Sequence, residues 1–230
     1  MPRFTATWTT KTQIAPTVYE IVLETKETLI NYKPGQYINI DFGNSKYRSY
    51  SISKLETISN KTKLTLIVDI LPNGLASTYF STNLPPLEFA CIGPVGRFTL
   101  LPSLRKKVFI VTGTGIAPII AMISQLSNKE KEDVEILFGV KSNEYDYLSR
   151  YLDTKIVKYT ICISEKADIK NDQFNGRVTD YYKTHSIKYV NYDFYLCGNP
   201  NMIKEMQELL EVSEFDSNKV ITEKFLLAKK

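Results

Sequence analysis

Residues 111–118, VTGTGIAP, constrain this chain more than any other stretch. They are approached through Arg105-Lys106-Lys107 and then Val108-Phe109-Ile110, the pattern of a buried strand entered from a basic turn. Beyond them, Ile119-Ile120-Ala121-Met122-Ile123 continues with apolar residues at helical spacing. The order is therefore strand, glycine-rich turn, helix. Gly113 and Gly115 carry no Cβ, so the backbone can bend sharply there and approach a ligand closely. Pro118 suits the first helical turn, where its missing N–H costs nothing. A helix entered in this way offers unpaired N–H groups and the positive end of its dipole, which favours a phosphate-bearing ligand. The same letters also suit an ordinary strand-to-helix turn. They match neither the three-glycine dinucleotide fingerprint nor the phosphate loop ending in GK[ST], so support must come from the rest of the chain.

At 230 residues the chain has room for one large domain or two of roughly 100–130 residues each. That length buries a core without disulfides or a structural metal. The three cysteines, Cys91, Cys162 and Cys197, are scattered and odd in number, so they form no disulfide framework. They are also too few for a plant-type iron–sulfur centre, which takes four clustered thiolates. His185 is the single histidine, which rules out a multi-histidine metal site. The net charge of +4 comes from interspersed acids and bases. This reads as a solvated surface, with a docking patch for an acidic partner as the alternative. The N-terminus, MPRFTATWTTKTQ, lacks the apolar core and cleavage site of a secretory signal. The longest uncharged run, 108–126, is broken by threonines and glycines and makes a poor membrane span. The expected location is the cytoplasm, with neither membrane nor nucleic acid as a partner.

Up to about residue 101 the chain reads as β. Strands are expected at 18–24, 37–42, 48–53, 64–70, 87–92 and 96–100, with one short helix near Ser77. Short strands separated by turn signals suggest an antiparallel barrel or sandwich. After Pro102 the period changes. Strands at 108–111, 134–138, 156–163, 194–197 and 220–225 alternate with helices at 118–127, 146–152, 178–184 and 202–212. Residues 128–133 read as a charged turn. This alternation predicts a parallel sheet covered on both faces. The boundary is expected near 101–104, giving domains 1–101 and 102–230.

Arg48-Ser49-Tyr50-Ser51 is a second anchor. On a strand, Arg48 and Tyr50 share one face and Ser49 and Ser51 the other. A permanently charged fork beside an aromatic plate suits a phosphate and a flat ring, or simply a half-buried strand. Gly74-Leu75-Ala76-Ser77 reads as a turn feeding a helix, with Ser77 as its cap or as a phosphate ligand.

Taken together, RSYS, GLAS, GPVGRF (93–98), VTGTGIAP and Leu196-Cys197-Gly198-Asn199-Pro200 resemble, in order and spacing, the ferredoxin–NADP reductase family. The bacterial ferredoxin or flavodoxin reductases and the reductase modules of oxygenases are particularly similar. The resemblance runs from Lys33-Pro34-Gly35-Gln36 to Glu223-Lys224-Phe225. It implies an N-terminal Greek-key antiparallel barrel that binds flavin and a C-terminal α/β nucleotide-binding domain.

The resemblance also assigns roles. Arg48, with Ser49 beside it, would bind flavin phosphates, Tyr50 would stack on the isoalloxazine, and Ser51 would hydrogen-bond near its N5. Gly74, Leu75, Ala76 and Ser77 would hold the pyrophosphate of FAD, and Val68 and Ile70 would give backbone contacts. Gly113, Thr114, Gly115 and Pro118 would meet NADPH or NADH. Cys197, Gly198 and Asn199 would lie at the strand end beside the nicotinamide, and Phe225 would cover the other flavin face. Hydride would pass from nicotinamide C4 to flavin N5, with Ser51, Cys197 and Phe225 at the reacting centre. NADP-specific relatives place Ser-Arg where this chain has Ser164-Glu165. Residue 165 favours NADH, Lys141 and Arg177 are bases available to a 2′-phosphate, and the Cys-Gly-Asn-Pro signature favours NADPH. The choice stays open. Electrons would leave for a separate one-electron carrier, a ferredoxin, flavodoxin or oxygenase component. A reductase of free flavin or ferric chelates, and a non-catalytic nucleotide-binding subunit, are the alternatives.

Overall fold

The computed structural model describes residues 2–29, 31–58, 61–166, 168–213 and 215–225. In its first part, strict alternation decides the architecture. Phe4, Ala6 and Trp8 of β1 (Arg3–Gln13) point inward while the residues between them face outward. The same holds from Ile21 onward in β2 (Val18–Thr25) and throughout β3 (Tyr37–Asp41), so each strand has one face to bury. With β4 (Tyr47–Ile58), β5 (Lys61–Asp69) and β6 (Leu87–Val95) they close into an antiparallel barrel of order β1-β2-β5-β4-β3-β6. The chain crosses from β2 over to β3 and comes back through the β3-β4-β5 meander to pair β5 with β2, a Greek-key arrangement, and closure leaves no open sheet edge.

Between β5 and β6 lies α1 (Leu75–Thr82), which caps the barrel core. Its Phe80 is fully buried and meets Trp8, Phe42 and Phe89 edge-on at ring distances of 5.2, 5.5 and 6.0 Å. Lys11 donates to the Phe80 carbonyl at 2.7 Å. The helix is thus bolted to the barrel by one ring and one charged hydrogen bond.

The later residues build a six-stranded parallel sheet, order β10-β9-β8-β7-β11-β12. Its strands are β7 (Lys106–Thr112), β8 (Val134–Val140), β9 (Lys158–Ile163), β10 (Gln173–Asn175), β11 (Tyr192–Gly198) and β12 (Val220–Lys224). The near-continuous apolar runs of β7, β8 and β11 are those of strands buried on both faces. Val108, Ile110, Leu137, Phe194 and Leu196 form one face, packed with residues of α4 (Val178–His185) and α5 (Pro200–Val212). The fully buried Asp193 carboxylate of β11 is faced by Arg105 at 3.3 Å, which also donates to the Tyr192 carbonyl at 3.0 Å. The remaining helices are α2 (Ile116–Ser124) and α3 (Asn128–Glu132). Two compact units result: residues 1–100 with Ala117–Gln125, and Leu101–Ile116 with the residues from Leu126 onward.

Several local expectations are corrected. Residues 96–100 are not a strand, because Gly96 turns the chain with φ +117 and β6 ends at Val95. Residues 128–133 hold a helical turn, α3, fixed by a capping box in which Ser127 and Glu130 satisfy each other's backbone N–H. Residues 146–152 are not an α-helix. The Asp146 carboxylate accepts the Leu148 N–H, and the chain tightens into a 3-10 turn at Leu148–Arg150. Strands β1 and β10 appear where none was expected.

Replacing Phe80 by alanine removes the ring that joins α1 to the barrel and is expected to destabilise it by about 3–5 kcal/mol. Trp8 is the only tryptophan, so urea unfolding followed by its emission measures the loss.

Candidate functional site

Every strand of the parallel sheet runs the same way, so its carboxyl ends gather on one edge. The sheet order reverses between β7 and β11: the chain steps outward from β7 to β8, β9 and β10, then returns to lay β11 on the other side of β7. In open parallel sheets this reversal opens a crevice at the carboxyl ends, the favoured place for a ligand. Here the two turns at that crevice are the 3-10 turn Gly113–Gly115 after β7 and the Gly198-Asn199-Pro200 turn after β11.

The two turns interlock through absent side chains. A Cβ on Gly115 would lie 2.7 Å from the Cys197 carbonyl oxygen, and one on Gly198 would lie 2.5 Å from both the backbone and hydroxyl oxygens of Thr112. Gly198 also has φ +117, a conformation that other residues avoid. The Thr112 hydroxyl accepts the Asn199 N–H at 2.9 Å, and the Asn199 side chain caps α5 by accepting the Asn201 N–H at 2.8 Å. Gly113 differs from both. Its φ is +53 and no atom lies within 4 Å of where its Cβ would be, so its face opens outward.

Cys197 is fully buried, and burial pushes its thiol well above the ordinary range, with Glu223 adding to the effect. What Cys197 presents to the turn is its backbone. Phe225 follows β12 and donates its N–H to the Gly198 carbonyl at 3.1 Å, which places it on the same edge. After β8 and β9 come Lys141 and Ser164-Glu165. Lys141 and Glu165 form an exposed ion pair at 3.4 Å, so the lysine already faces a carboxylate. The Ser164 hydroxyl donates to the Val140 carbonyl at 3.3 Å. Gly176 donates to the Ile163 carbonyl at 2.8 Å and thereby brings the exposed Arg177, at the start of α4, to the end of β9. Pro118 is buried in the first turn of α2.

In the barrel, Arg48 and Tyr50 stand opposite Ile40 and Ile38 on β3, whereas Ser49 and Ser51 stand opposite Asn39 and Tyr37. Cross-strand partners share a face, so the first pair lies on one side and the second on the other. Arg48 is exposed. Tyr50 is partly buried, its ring meeting Phe42 and Phe80 edge-on at 6.4 Å each. Burial raises its phenol above the usual range, and Arg48 pulls part of the way back. Ser49 donates to the Asn39 side chain at 2.7 Å, and Ser51 is buried. Val68 is buried and paired with Tyr19, while the Ile70 N–H is given to the Thr17 carbonyl at 2.8 Å.

The start of α1 shares this aromatic cluster through Phe80. Gly74 is its N-cap and supplies no side-chain acceptor, and no acidic residue stands in the first turn. The N–H groups there are left to a ligand or water. Ser77 is the third helical residue, not the cap; its hydroxyl accepts the Leu71 N–H at 3.1 Å and ties down the preceding turn. A Cβ on Gly74 would lie 2.9 Å from that hydroxyl.

Sequence reasoning gave no role to Thr112, which locks the two crevice turns together. A hydroxyl residue at a strand end just before a glycine turn is the available signal.

Comparison with known proteins follows the same division. Residues 6–100 match the model of an oxidoreductase FAD-binding domain, and residues 109–208 that of an oxidoreductase NAD-binding domain. The chain is 27% identical over 218 residues to the toluate 1,2-dioxygenase electron transfer component of Pseudomonas putida, covering 89% of this chain and 63% of that one. It is 26% identical to the propane 2-monooxygenase reductase component of Mycolicibacterium smegmatis, covering 85% and 59%. It thus spans about three-fifths of the length of these curated relatives. Among solved structures, a cytochrome P450 reductase from Amycolatopsis superposes with a TM-score of 0.85 at 23% identity, covering 99% of this chain and 71% of the other. A ferredoxin NADP+ reductase from Neisseria gonorrhoeae with bound FAD and NADP gives 0.81 at 17% identity, covering 98% and 100%.

The interlock makes a paired prediction. Gly198→Ala forces a Cβ into Thr112 and is expected to lower the melting temperature severely or prevent folding. Gly113→Ala has room and is expected to cost only the left-handed backbone, about 1–2 kcal/mol. Thermal melts of the two variants decide it. A second prediction concerns the thiols. Burial pushes Cys91 and Cys162 up to about 12 and also holds Cys197 well above the ordinary thiol range. A thiol reagent at neutral pH is expected to find none of them in the native protein and all three cysteines in denaturant.

Proposed function

The chain belongs to the ferredoxin reductase-like family of FAD- and NAD-binding oxidoreductases, and from that membership we propose that it takes hydride from NADH or NADPH onto bound FAD and passes electrons to a separate one-electron carrier. The observation that carries this reading is the crevice between β7 and β11, where two glycine turns replace side chains with backbone. The residues present fit both cofactors. Gly113 leaves an open cradle of the kind a pyrophosphate needs, and the start of α1 keeps its N–H groups uncapped.

The flavin, when bound, supplies the chemistry that converts a hydride into single electrons. The protein's task is alignment. Arg48 would hold a flavin phosphate with its permanently charged fork, and Gly74, Leu75, Ala76 and Ser77 would present the helix start to the pyrophosphate. Tyr50, braced by the Phe42 and Phe80 rings, would stack on the ring, and Ser51 would donate a hydrogen bond near its N5. Val68 and Ile70 would line the ring through their backbone, and because the Ile70 N–H is already committed, its contact falls to the carbonyl. At the crevice, Thr114 with Gly113 and Gly115 would hold the pyrophosphate of the nicotinamide nucleotide. Cys197, Gly198 and Asn199 would seat the nicotinamide, with Phe225 beside them. The domain boundary falls, on this reading, near 101–102.

For the choice of nucleotide, Glu165 favours NADH, against the Cys197-Gly198-Asn199-Pro200 signature that favours NADPH. A carboxylate at the end of β9 repels a 2′-phosphate, and its ion pair occupies Lys141 as well. We therefore assign NADH as the better donor, with Ser164 and Arg177 at the ribose edge. The relatives named electron transfer and reductase components of oxygenases support an oxygenase component as acceptor, with a ferredoxin or flavodoxin as the alternative carrier.

The test is direct. Protein loaded with FAD should show a flavin spectrum that bleaches anaerobically on addition of NADH; a protein that takes up no flavin, or whose flavin neither nucleotide bleaches, refutes the assignment. Glu165→Arg should raise the NADPH/NADH ratio of bleaching efficiency roughly tenfold to a hundredfold, as expected for gaining a charged hydrogen bond. An unchanged ratio removes residue 165 from the selectivity.

A further inference from the structure

The segment between β8 and β9 places one residue against the crevice that the nucleotide reading does not use. Tyr147 is buried at 2% exposure, and its hydroxyl donates to the Gly113 carbonyl at 3.3 Å. Its ring is held edge-on by Phe138 of β8 at 5.6 Å and by Tyr151 at 6.4 Å. The tight 3-10 turn at Leu148–Arg150 keeps the tyrosine in place from the following side.

This contact falls on the weak end of the crevice turn. At its far end, Gly115 is wedged against the Cys197–Gly198 backbone. At its near end, Gly113 has no packing around its Cβ position and a left-handed φ that only glycine adopts freely. Inside the turn, the Ile116 N–H also reaches the Gly113 carbonyl. A peptide unit is planar and trans, so the Gly113 carbonyl and the Thr114 N–H point in opposite directions. Fixing the carbonyl on Tyr147 therefore fixes the Thr114 N–H away from the buried ring.

We propose that the Tyr147 hydroxyl is a positioning group for the nucleotide seat, holding the Gly113–Thr114 peptide in the orientation that receives the pyrophosphate of a pyridine nucleotide. The inference rests on the reading of this turn as that seat. Tyr147 touches neither cofactor nor reacting atoms. It acts by preorganisation, removing the cost of ordering a glycine turn at the moment of binding.

The test is Tyr147→Phe, which keeps the ring and removes only the hydroxyl. Binding of NAD+ and of ADP-ribose to the FAD-loaded protein is measured by calorimetry, where no turnover intrudes. The expected result is a rise in both dissociation constants of about three- to tenfold, the worth of one hydrogen bond, with flavin content unchanged and the melting temperature lowered by no more than a few degrees. Equal affinities overturn the proposal. Tyr147→Leu supplies the contrast: it should lower the melting temperature as well, and weakening seen only in that variant would assign Tyr147 to packing alone and overturn the positioning role. Wild-type protein that binds neither compound would instead refute the nucleotide seat itself, and this proposal with it.

Discussion

The site depends on one steric constraint: at the crevice between β7 and β11, backbone must lie where side chains would otherwise be. Gly115 and Gly198 sit so close to Cys197 and Thr112 that one added carbon at either would overlap a carbonyl oxygen. That closeness lets the Thr112 hydroxyl bind the Asn199 N–H and sets the start of α5. The sheet order brings the two turns together, and the glycines allow them to touch. Neither element alone would make a seat. A parallel sheet without the reversal has no crevice, and the reversal without glycines would be plugged by side chains.

The barrel solves a related problem differently. There the helix start is left uncapped, with glycine at the cap and no acid in the first turn, and stability comes from elsewhere. Phe80 anchors α1 in a cluster of Trp8, Phe42 and Phe89, and the same cluster supports Tyr50. Apolar packing thus offsets an uncapped helix start. Phe80 belongs to the same helix, so a change in the core there is transmitted to that start.

Much of this is legible in the sequence because it is local. VTGTGIAP announces strand, turn and helix through glycine, proline and period, and the later alternation of strands and helices announces a parallel sheet. What is not legible is either weakly hydrophobic or non-local. In β1 the inward Phe4, Ala6 and Trp8 alternate with threonines and charges, and the strand is recognisable only once β2 and β6 pair with it. The stretch 146–152 has helical spacing, yet the Asp146 side chain takes the Leu148 N–H and the helix never starts. The Lys141–Glu165 pair joins the ends of two strands, and the Tyr147 hydroxyl reaches a turn 34 positions away. Spacing along the chain carries no trace of such pairs, which exist because the sheet sets its carboxyl ends side by side.

The most direct measurement is a crystal structure of the protein loaded with FAD and soaked with NAD+. The nucleotide pyrophosphate is expected against the Gly113–Gly115 turn, with its nicotinamide end at Gly198 and Asn199. A nucleotide bound elsewhere, with the crevice between β7 and β11 filled by solvent, would overturn this placement.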